Sequence, residues 1–328
     1  MDYSLSGKTL LVTGGTGSFG QKFTETVLRD YDPKAVRIFS RGELLQIQME
    51  QRFDDERLRF FIGDVRDPKR LARAMTGADV VVHAAALKHV PACEYNPIEA
   101  IRTNVDGTLN LIDSAIDSKV DRVMLISTDK AVHPVNLYGA TKMVAEKVMI
   151  QGNSYTGGEK PRFSCVRYGN VIGSRGSVIP LFLGQKTSGR ITITDERMTR
   201  FWIQLEQGVR FVISSLQKMQ GGEIFIPRLP SMRLMDLADA IAPEAEKVFT
   251  GVRPGEKIHE VLITGDEARR TREFDDFYVI DPEHSYWGKG TLQGGRPVAP
   301  DFSYSSETNT RWLSKEDLRG ILKSEGWI

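Results

Sequence analysis

Six strand-like apolar runs punctuate the first half of the chain, at residues 8–12, 35–39, 58–62, 80–86, 123–126 and 163–168. Their lack of alternation is the pattern of strands covered on both faces. Helical spacing fills the intervals. From Pro97, the residues Ile98, Ile101, Val105, Leu109, Ile112 and Ile116 fall three and four apart, predicting one long helix with a single apolar stripe. Strands alternating with helices predict an α/β fold, a Rossmann-type doubly wound parallel sheet. Further on, helices are expected over 206–219 and 233–247, and strands at 191–194 and 223–226. The helix at 206–219 and the strand at 223–226 are expected to return to the sheet domain. Residues 264–307 read as irregular, and their composition suggests no role.

The 328 residues suffice for one large or two ordinary domains, and 40% apolar with 27% charged residues is a soluble globular mix. A net charge of +1, with acids and bases interspersed, gives no reason to expect nucleic acid or a membrane as partner. No apolar run approaches the ~18 residues of a membrane span. The opening residues lack the basic-then-apolar order of a secretory signal, so a cytoplasmic protein is expected. Cys93 and Cys165 are far apart and outside metal-ligand spacing. They read as reduced thiols, and no metal is expected.

The first apolar run ends in a glycine-rich turn, Gly14 through Thr16, Gly17, Ser18 and Phe19 to Gly20, which opens a helix. That context points to a dinucleotide pyrophosphate on the helix N-terminus. The second run ends in Ser40-Arg41, where NAD-selective sites carry an acid. A guanidinium suits a 2′-phosphate, so NADP is preferred to NAD; the alternative is a solvated arginine. Asp64 and Val65 end the third run near the expected adenine, though an ordinary loop carboxylate is the other reading of Asp64. Ala84 belongs to the small residues ending the fourth run, and Lys88 follows at its mouth. His83, inside that run, reads as a hydrogen-bonded core histidine.

The densest chemistry lies at 127–142. Tyr138 and Lys142 are four apart and share a helix face. A nearby cation favours the phenolate, which can take a hydroxyl proton while hydride leaves the same carbon. Asp129-Lys130 follows Ser127-Thr128 at a strand end. Neighbours in a strand face opposite ways, so this pair is expected in the turn beyond it.

The glycine turn with Tyr138-x-x-x-Lys142 resembles the extended short-chain dehydrogenase/reductases. That likeness implies a smaller C-terminal α/β domain binding a nucleotide sugar. It divides the chain into a cofactor domain at 1–170, with returning segments near 203–228, and a substrate domain at 171–202 and 229–328. Asp129-Lys130, with Gly63–Asp67, Ala84–Pro91, Arg167–Val171 and Arg253–Lys257, resembles the C5-inverting UDP-N-acetylglucosamine 4,6-dehydratases of that family, which open pseudaminic acid synthesis. Departures are Gly42, Leu45 and His133. The resemblance implies UDP-N-acetylglucosamine as substrate and a homo-oligomer. It assigns Thr128, Asp129, Lys130, Tyr138 and Lys142 to catalysis. Lys88, Asn170, Arg175, Gly176, Ser177, Val178, Thr194, Arg200, Arg253 and Glu256 are assigned to the substrate. C5-retaining dehydratases and UDP-sugar 4-epimerases are the neighbouring alternatives, and a non-catalytic NADP-binding regulator is the one from another class.

Overall fold

The protein is described by a computed structural model covering residues 3–157, 159–173, 178–284 and 292–328. Its first half alternates strands and helices: β1 (Thr9–Thr13), α1 (Ser18–Asp30), β2 (Ala35–Ser40), α2 (Glu43–Phe53), β3 (Leu58–Ile62), α3 (Pro68–Met75) and β4 (Val80–His83). After these come α4 (Val90–Tyr95), α5 (Pro97–Ile101), α6 (Gly107–Asp117), β5 (Arg122–Thr128), α7 (Leu137–Gln151) and β6 (Arg162–Tyr168). The strands lie parallel in the order β3-β2-β1-β4-β5-β6, and strand Ile224–Pro227 continues the set beyond β6. The order reverses between β1 and β4, where such sheets open a ligand crevice beyond the strand ends.

All five residues of β1 and all four of β4 are buried, as strands between two helical layers must be. Alternate side chains divide between two cores. Leu10, Val12, Val36 and Val82 pack with Phe23, Val27, Val212 and Leu216, joining α1 to helix Leu205–Lys218. Leu11, Val81, Val123 and Leu125 pack with Leu71, Leu111 and Met149 on the other face. A third core, containing Ile179, Phe182, Ile193, Trp202, Leu237 and Leu322, gathers the smaller elements of the second half.

Three expectations from the sequence are corrected. The helix after Pro97 is broken by a π-turn at Arg102–Asp106, whose extra residue rotates the following turns. Its buried face includes Thr103, Asn104, Thr108, Leu111, Ala115 and, from the predicted stripe, Ile112, whereas Ile98, Ile101 and Leu109 of that stripe are exposed. The helix expected over 233–247 ends at Ile241, and Glu246–Phe249 is a strand paired with Arg190–Ile193. Within 264–307, Phe277–Ile280, Thr271–Glu273 and Arg296–Pro297 extend the main sheet antiparallel, so much of this stretch is scaffold. Short strands beside an existing edge need little periodicity of their own, which is why the pattern missed them.

Candidate active site

At the switch point, β1 runs into Gly14, and α1 begins after Gly17 with no side chain capping it. The first N–H groups of α1 are thus left for an anion at the positive end of the helix. Gly14 has φ +67°, and a Cβ there would lie 2.8 Å from the Ala85 nitrogen. A Cβ on Gly20 would lie 2.5 Å from the Gly15 Cα. Both glycines are required for the turn to close against its neighbours. The Thr13 hydroxyl meets His83 Nδ1 at 2.7 Å, and His83 Nε2 meets the Thr108 hydroxyl at 3.2 Å. Burial pushes the imidazole down to about 3, so His83 is the neutral core histidine the sequence suggests.

Farther along the crevice, Ser40 accepts from Gln46 Nε2 through both its hydroxyl and its carbonyl, each at 3.0 Å. Arg41 is more than half exposed and 3.9 Å from Asp64. Asp64 is gripped by Arg66 at 2.6 and 2.9 Å, so any adenine would meet an ion pair rather than an open carboxylate. Val65 is buried, and Ala84 half-buried. An uncapped helix, a glycine cradle and an available guanidinium fit a dinucleotide.

β5 ends at Thr128, and Asp129–Ala131 make a single 3₁₀ turn. The Thr128 hydroxyl donates to Asp129 Oδ1 at 2.8 Å, and Lys130 Nζ donates to the same oxygen at 3.0 Å. Asn136, which belongs to no sequence motif, caps α7. Its Oδ1 accepts from the Gly139 nitrogen at 2.8 Å, and its Nδ2 donates to the Gly255 carbonyl at 2.7 Å. The loop at 253–257 is thereby tied to the helix bearing Tyr138 and Lys142. Asn104, in the π-turn, exchanges bonds of 2.8 and 2.9 Å with the Leu87 backbone and donates to Thr141 at 3.0 Å. It fixes the loop carrying Lys88 against α7.

Gly139 shows how closely helix and turn are fitted. A Cβ there would fall 2.1 Å from the Lys130 carbonyl oxygen. Gly139→Ala must therefore displace the Asp129–Lys130 turn, since backbone cannot yield as a flexible side chain does. The expected result is a variant that still binds cofactor, by fluorescence titration, with turnover reduced about 100-fold by misplacement on the ångström scale.

Burial, the largest influence, pushes the Tyr138 phenol up to about 12, while Lys130 and the Thr128 hydroxyl within hydrogen-bond reach oppose it. Burial brings the Lys142 ammonium down to about 8, against the pull of Glu146. The leading cation acting on Tyr138 is thus Lys130, not Lys142 as the helical spacing suggested. Lys142 holds its charge weakly and has Glu146 as its foremost anion.

Around the turn, Glu260 is 2% exposed, with Oε1 at 3.5 Å from Lys130 Nζ and 3.8 Å from Arg200 Nε. Lys257 Nζ lies 3.7 Å from Glu260 Oε2 and donates to the Val132 carbonyl at 2.5 Å. Glu260 was not anticipated, because a lone acid in a charged loop carries no periodic signal. Arg200, expected at the substrate, spends three bonds of 2.7–2.9 Å on the carbonyls of Thr199, Ile258 and Lys257. It clamps the Glu260 loop. Asn170 Oδ1, Asp129 Oδ2 and Glu260 Oε2 are buried without a hydrogen-bond partner among the described residues. Asp129 Oδ2 and Glu260 Oε2, on the two carboxylates that flank Lys130, mark where a ligand would be received.

The remaining substrate candidates are more dispersed. Lys88 is exposed and faces Lys130 electrostatically, and Arg253 pairs with Glu256 at 3.9 Å. Val178 opens the helix Val178–Lys186, and half-buried Thr194 follows the strand Arg190–Ile193. Arg175, Gly176 and Ser177 lie outside the described residues.

A β3-β2-β1-β4-β5-β6 sheet, a glycine turn at its switch point and Tyr138 with Lys142 beyond β5 define a short-chain dehydrogenase/reductase of the extended type. The chain belongs to the family described as polysaccharide biosynthesis protein, which it matches over residues 10–282. It is 47% identical to the "UDP-N-acetylglucosamine 4,6-dehydratase (inverting)" of Campylobacter jejuni, over 98% of this chain and 99% of that protein. It is also 40% identical to the "UDP-glucose 4-epimerase" of Rickettsia canadensis, over 98% and 97%. Among solved structures, Pen from Bacillus thuringiensis superposes with a TM-score of 0.91 at 38% identity, covering 99% of both chains. DesIV of Streptomyces venezuelae, a dTDP-glucose 4,6-dehydratase with NAD bound, gives 0.68 at 26% identity, covering 76% of this chain and 86% of its own. Among the described residues, no helix is long and apolar enough to cross a membrane.

Proposed function

We propose that this chain is a C5-inverting UDP-N-acetylglucosamine 4,6-dehydratase that works with NADP and supplies pseudaminic acid synthesis. The observation that carries the reading is the Asp129–Lys130 turn. An acid and an amine lie 3.0 Å apart, held against the helix that bears Tyr138. A 4-epimerase needs only to oxidise and re-reduce C4, and such a pair is superfluous to it. Residues 1–170, with the segments near 203–228, would hold the cofactor; 171–202 and 229–328 would hold the nucleotide sugar. The exposed Tyr95, Ile98, Ile101 and Leu109 support a homo-oligomer, since a second copy would cover them. The free, buried thiols of Cys93 and Cys165 support a cytoplasmic enzyme.

In this mechanism Tyr138 accepts the C4 hydroxyl proton as the phenolate, the form that Lys130 favours against burial, beside Thr128, and Lys142 would hold the cofactor. Bound NADP⁺ supplies an acceptor for the C4 hydride and, once reduced, a donor for C6. The resulting C4 ketone acidifies the C5 proton. Lys130 as free amine takes that proton, the C5 electron pair forms the C5=C6 bond, and the C6 hydroxyl departs as water with a proton from Asp129. A proton then reaches C5 on the opposite face.

The test is incubation with UDP-N-acetylglucosamine in deuterated water, with the product followed by NMR. An inverted, deuterated C5 beside a new C6 methyl is expected. Retention at C5 moves the assignment to the retaining dehydratases. The galacto isomer alone establishes the epimerase reading that the Rickettsia relatives favour, and no turnover leaves a binding protein. Cofactor choice has its own check. Arg41→Ala is expected to weaken NADP binding about tenfold or more, with NAD binding unchanged, by isothermal titration. Equal losses for both would remove Arg41 from selectivity.

A further inference from the structure

Glu260 has no place in the mechanism above, yet it is buried against that mechanism's central amine. Lys130 Nζ lies between Asp129 Oδ1 at 3.0 Å and Glu260 Oε1 at 3.5 Å. Other charged and titratable groups also face this amine. They are Lys257 from the Glu260 loop, Arg200 from strand Thr199–Ile203, Lys88 from the loop after β4, and Tyr138 from α7. The Glu260 backbone is fixed by the otherwise unexplained C-terminal stretch. Its nitrogen donates to Ser306 Oγ at 2.9 Å, its carbonyl accepts from the Ser306 nitrogen at 2.8 Å, and Ser306 is fully buried. Arg200 clamps the same loop from the other side. The carboxylate is thus held beside Lys130 by two anchors, which Thr199 ties together through its hydroxyl, 2.7 Å from Ser306 Oγ.

We propose that Glu260 is a positioning residue that grips the Lys130 ammonium together with Asp129 and governs when that amine is free to take a proton from carbon. This rests on Lys130 being the C5 base. The chemistry needs a neutral Lys130 and a protonated Asp129, whereas two facing carboxylates favour the ammonium. One proton passing from Lys130 Nζ to Asp129 Oδ1 converts the ion pair into that working pair with no net gain or loss. Glu260, an anion that stays behind, opposes the transfer until the substrate engages the cluster. The electrostatics agree in direction: burial pulls the Lys130 ammonium down, and Asp129 and Glu260 together more than reverse it. The orphaned Oδ2 of Asp129, and Oε2 of Glu260, which has only the Lys257 ammonium at 3.7 Å, are the atoms such an engagement would meet.

The experiment reads Lys130 directly, without turnover. Lys130 in the full-length protein is acetylated with limiting acetic anhydride from pH 6 to 10, and the modified peptide is quantified by mass spectrometry, its rate rising about tenfold per pH unit so that a displaced titration reads as a changed rate at each pH. Glu260→Gln is expected to move its reactivity about one pH unit or more towards acid, because an opposing carboxylate is removed. Glu260→Asp, which retains the charge but withdraws it by a methylene, is expected to move it part of the way. In pH–rate profiles of UDP-N-acetylglucosamine dehydration, the acidic limb should shift in the same direction. A Lys130 titration unchanged in both variants overturns the proposal, even if activity falls. A displaced titration with no dehydration by the wild-type protein upholds the grip on Lys130 and instead sinks the assigned reaction.

Discussion

Lys130→Ala is expected to abolish dehydration while leaving the first half-reaction in place. Thr128, Tyr138 and Lys142 remain, and in the proposed mechanism they take the C4 proton as hydride departs. Single-turnover mixing with UDP-N-acetylglucosamine should therefore still show reduced nicotinamide by its absorbance. The C5 proton should then cease to exchange with deuterated solvent, and no C6 methyl should form. Positioned acid–base groups contribute about 10²- to 10⁴-fold, so a loss of that order is the expected result. Lys130 is the leading cation opposing the rise in the Tyr138 phenol, so its removal should push that phenol higher still and slow C4 oxidation below the alkaline range. The redox step should thus survive but need higher pH, whereas elimination should not return at any pH. Dehydration at the wild-type rate would remove Lys130 from the mechanism.

The uneven legibility of this chain has physical causes. Buried parallel strands betray themselves, because two covered faces leave no polar positions; β1 and β4 are read correctly for that reason. Glycine turns are legible where a side chain is excluded by backbone, as at Gly14 and Gly20. The position of Asp129 and Lys130 in a turn follows from strand alternation and is found there. What resists reading is whatever depends on distant segments meeting. The apolar stripe after Pro97 has correct helical spacing, yet a one-residue π-turn puts part of it on the surface. Glu260 acquires meaning only when its loop is pressed onto the Lys130 turn. Gln46 and Asn136 likewise look ordinary until the strand end and the loop they bond to are in place. Electrostatic partners are the hardest of all. Spacing paired Tyr138 with Lys142, while the folded chain sets Lys130 against the phenol and Glu146 against Lys142.

Arg167→Met should show how far the site depends on a charge network beneath it. Arg167 is 3% exposed and bonds Glu146 at 2.7 and 3.1 Å, Glu267 at 3.1 and 3.2 Å, and the Leu262 carbonyl at 2.8 Å. Glu146 also accepts from the Ser127 hydroxyl and lies one turn beyond Lys142 on α7. Glu267 completes the capping box of the short helix that follows strand Val261–Ile263. One guanidinium thus joins α7, β6 and the segment carrying Glu260. Methionine fills much of the volume but leaves Glu267 without its cation and Glu146 with only Lys142, a loss of about 3–5 kcal/mol for breaking a buried pair. Arg167→Lys, which keeps the charge without the fork, should fall between. The pH dependence follows in sign. Pairing with Arg167 outweighs burial and holds the Glu267 carboxyl below its usual value, so its contribution to wild-type stability is lost as pH falls through that lowered value. In the variant burial acts on Glu267 without that opposing cation, so its carboxyl rises and gains stability on protonation. The gap in melting temperature should therefore be widest near pH 8 and narrow towards pH 5. A gap independent of pH would mean that Arg167 acts through packing alone, and α7 would then be held by its apolar face rather than by charge.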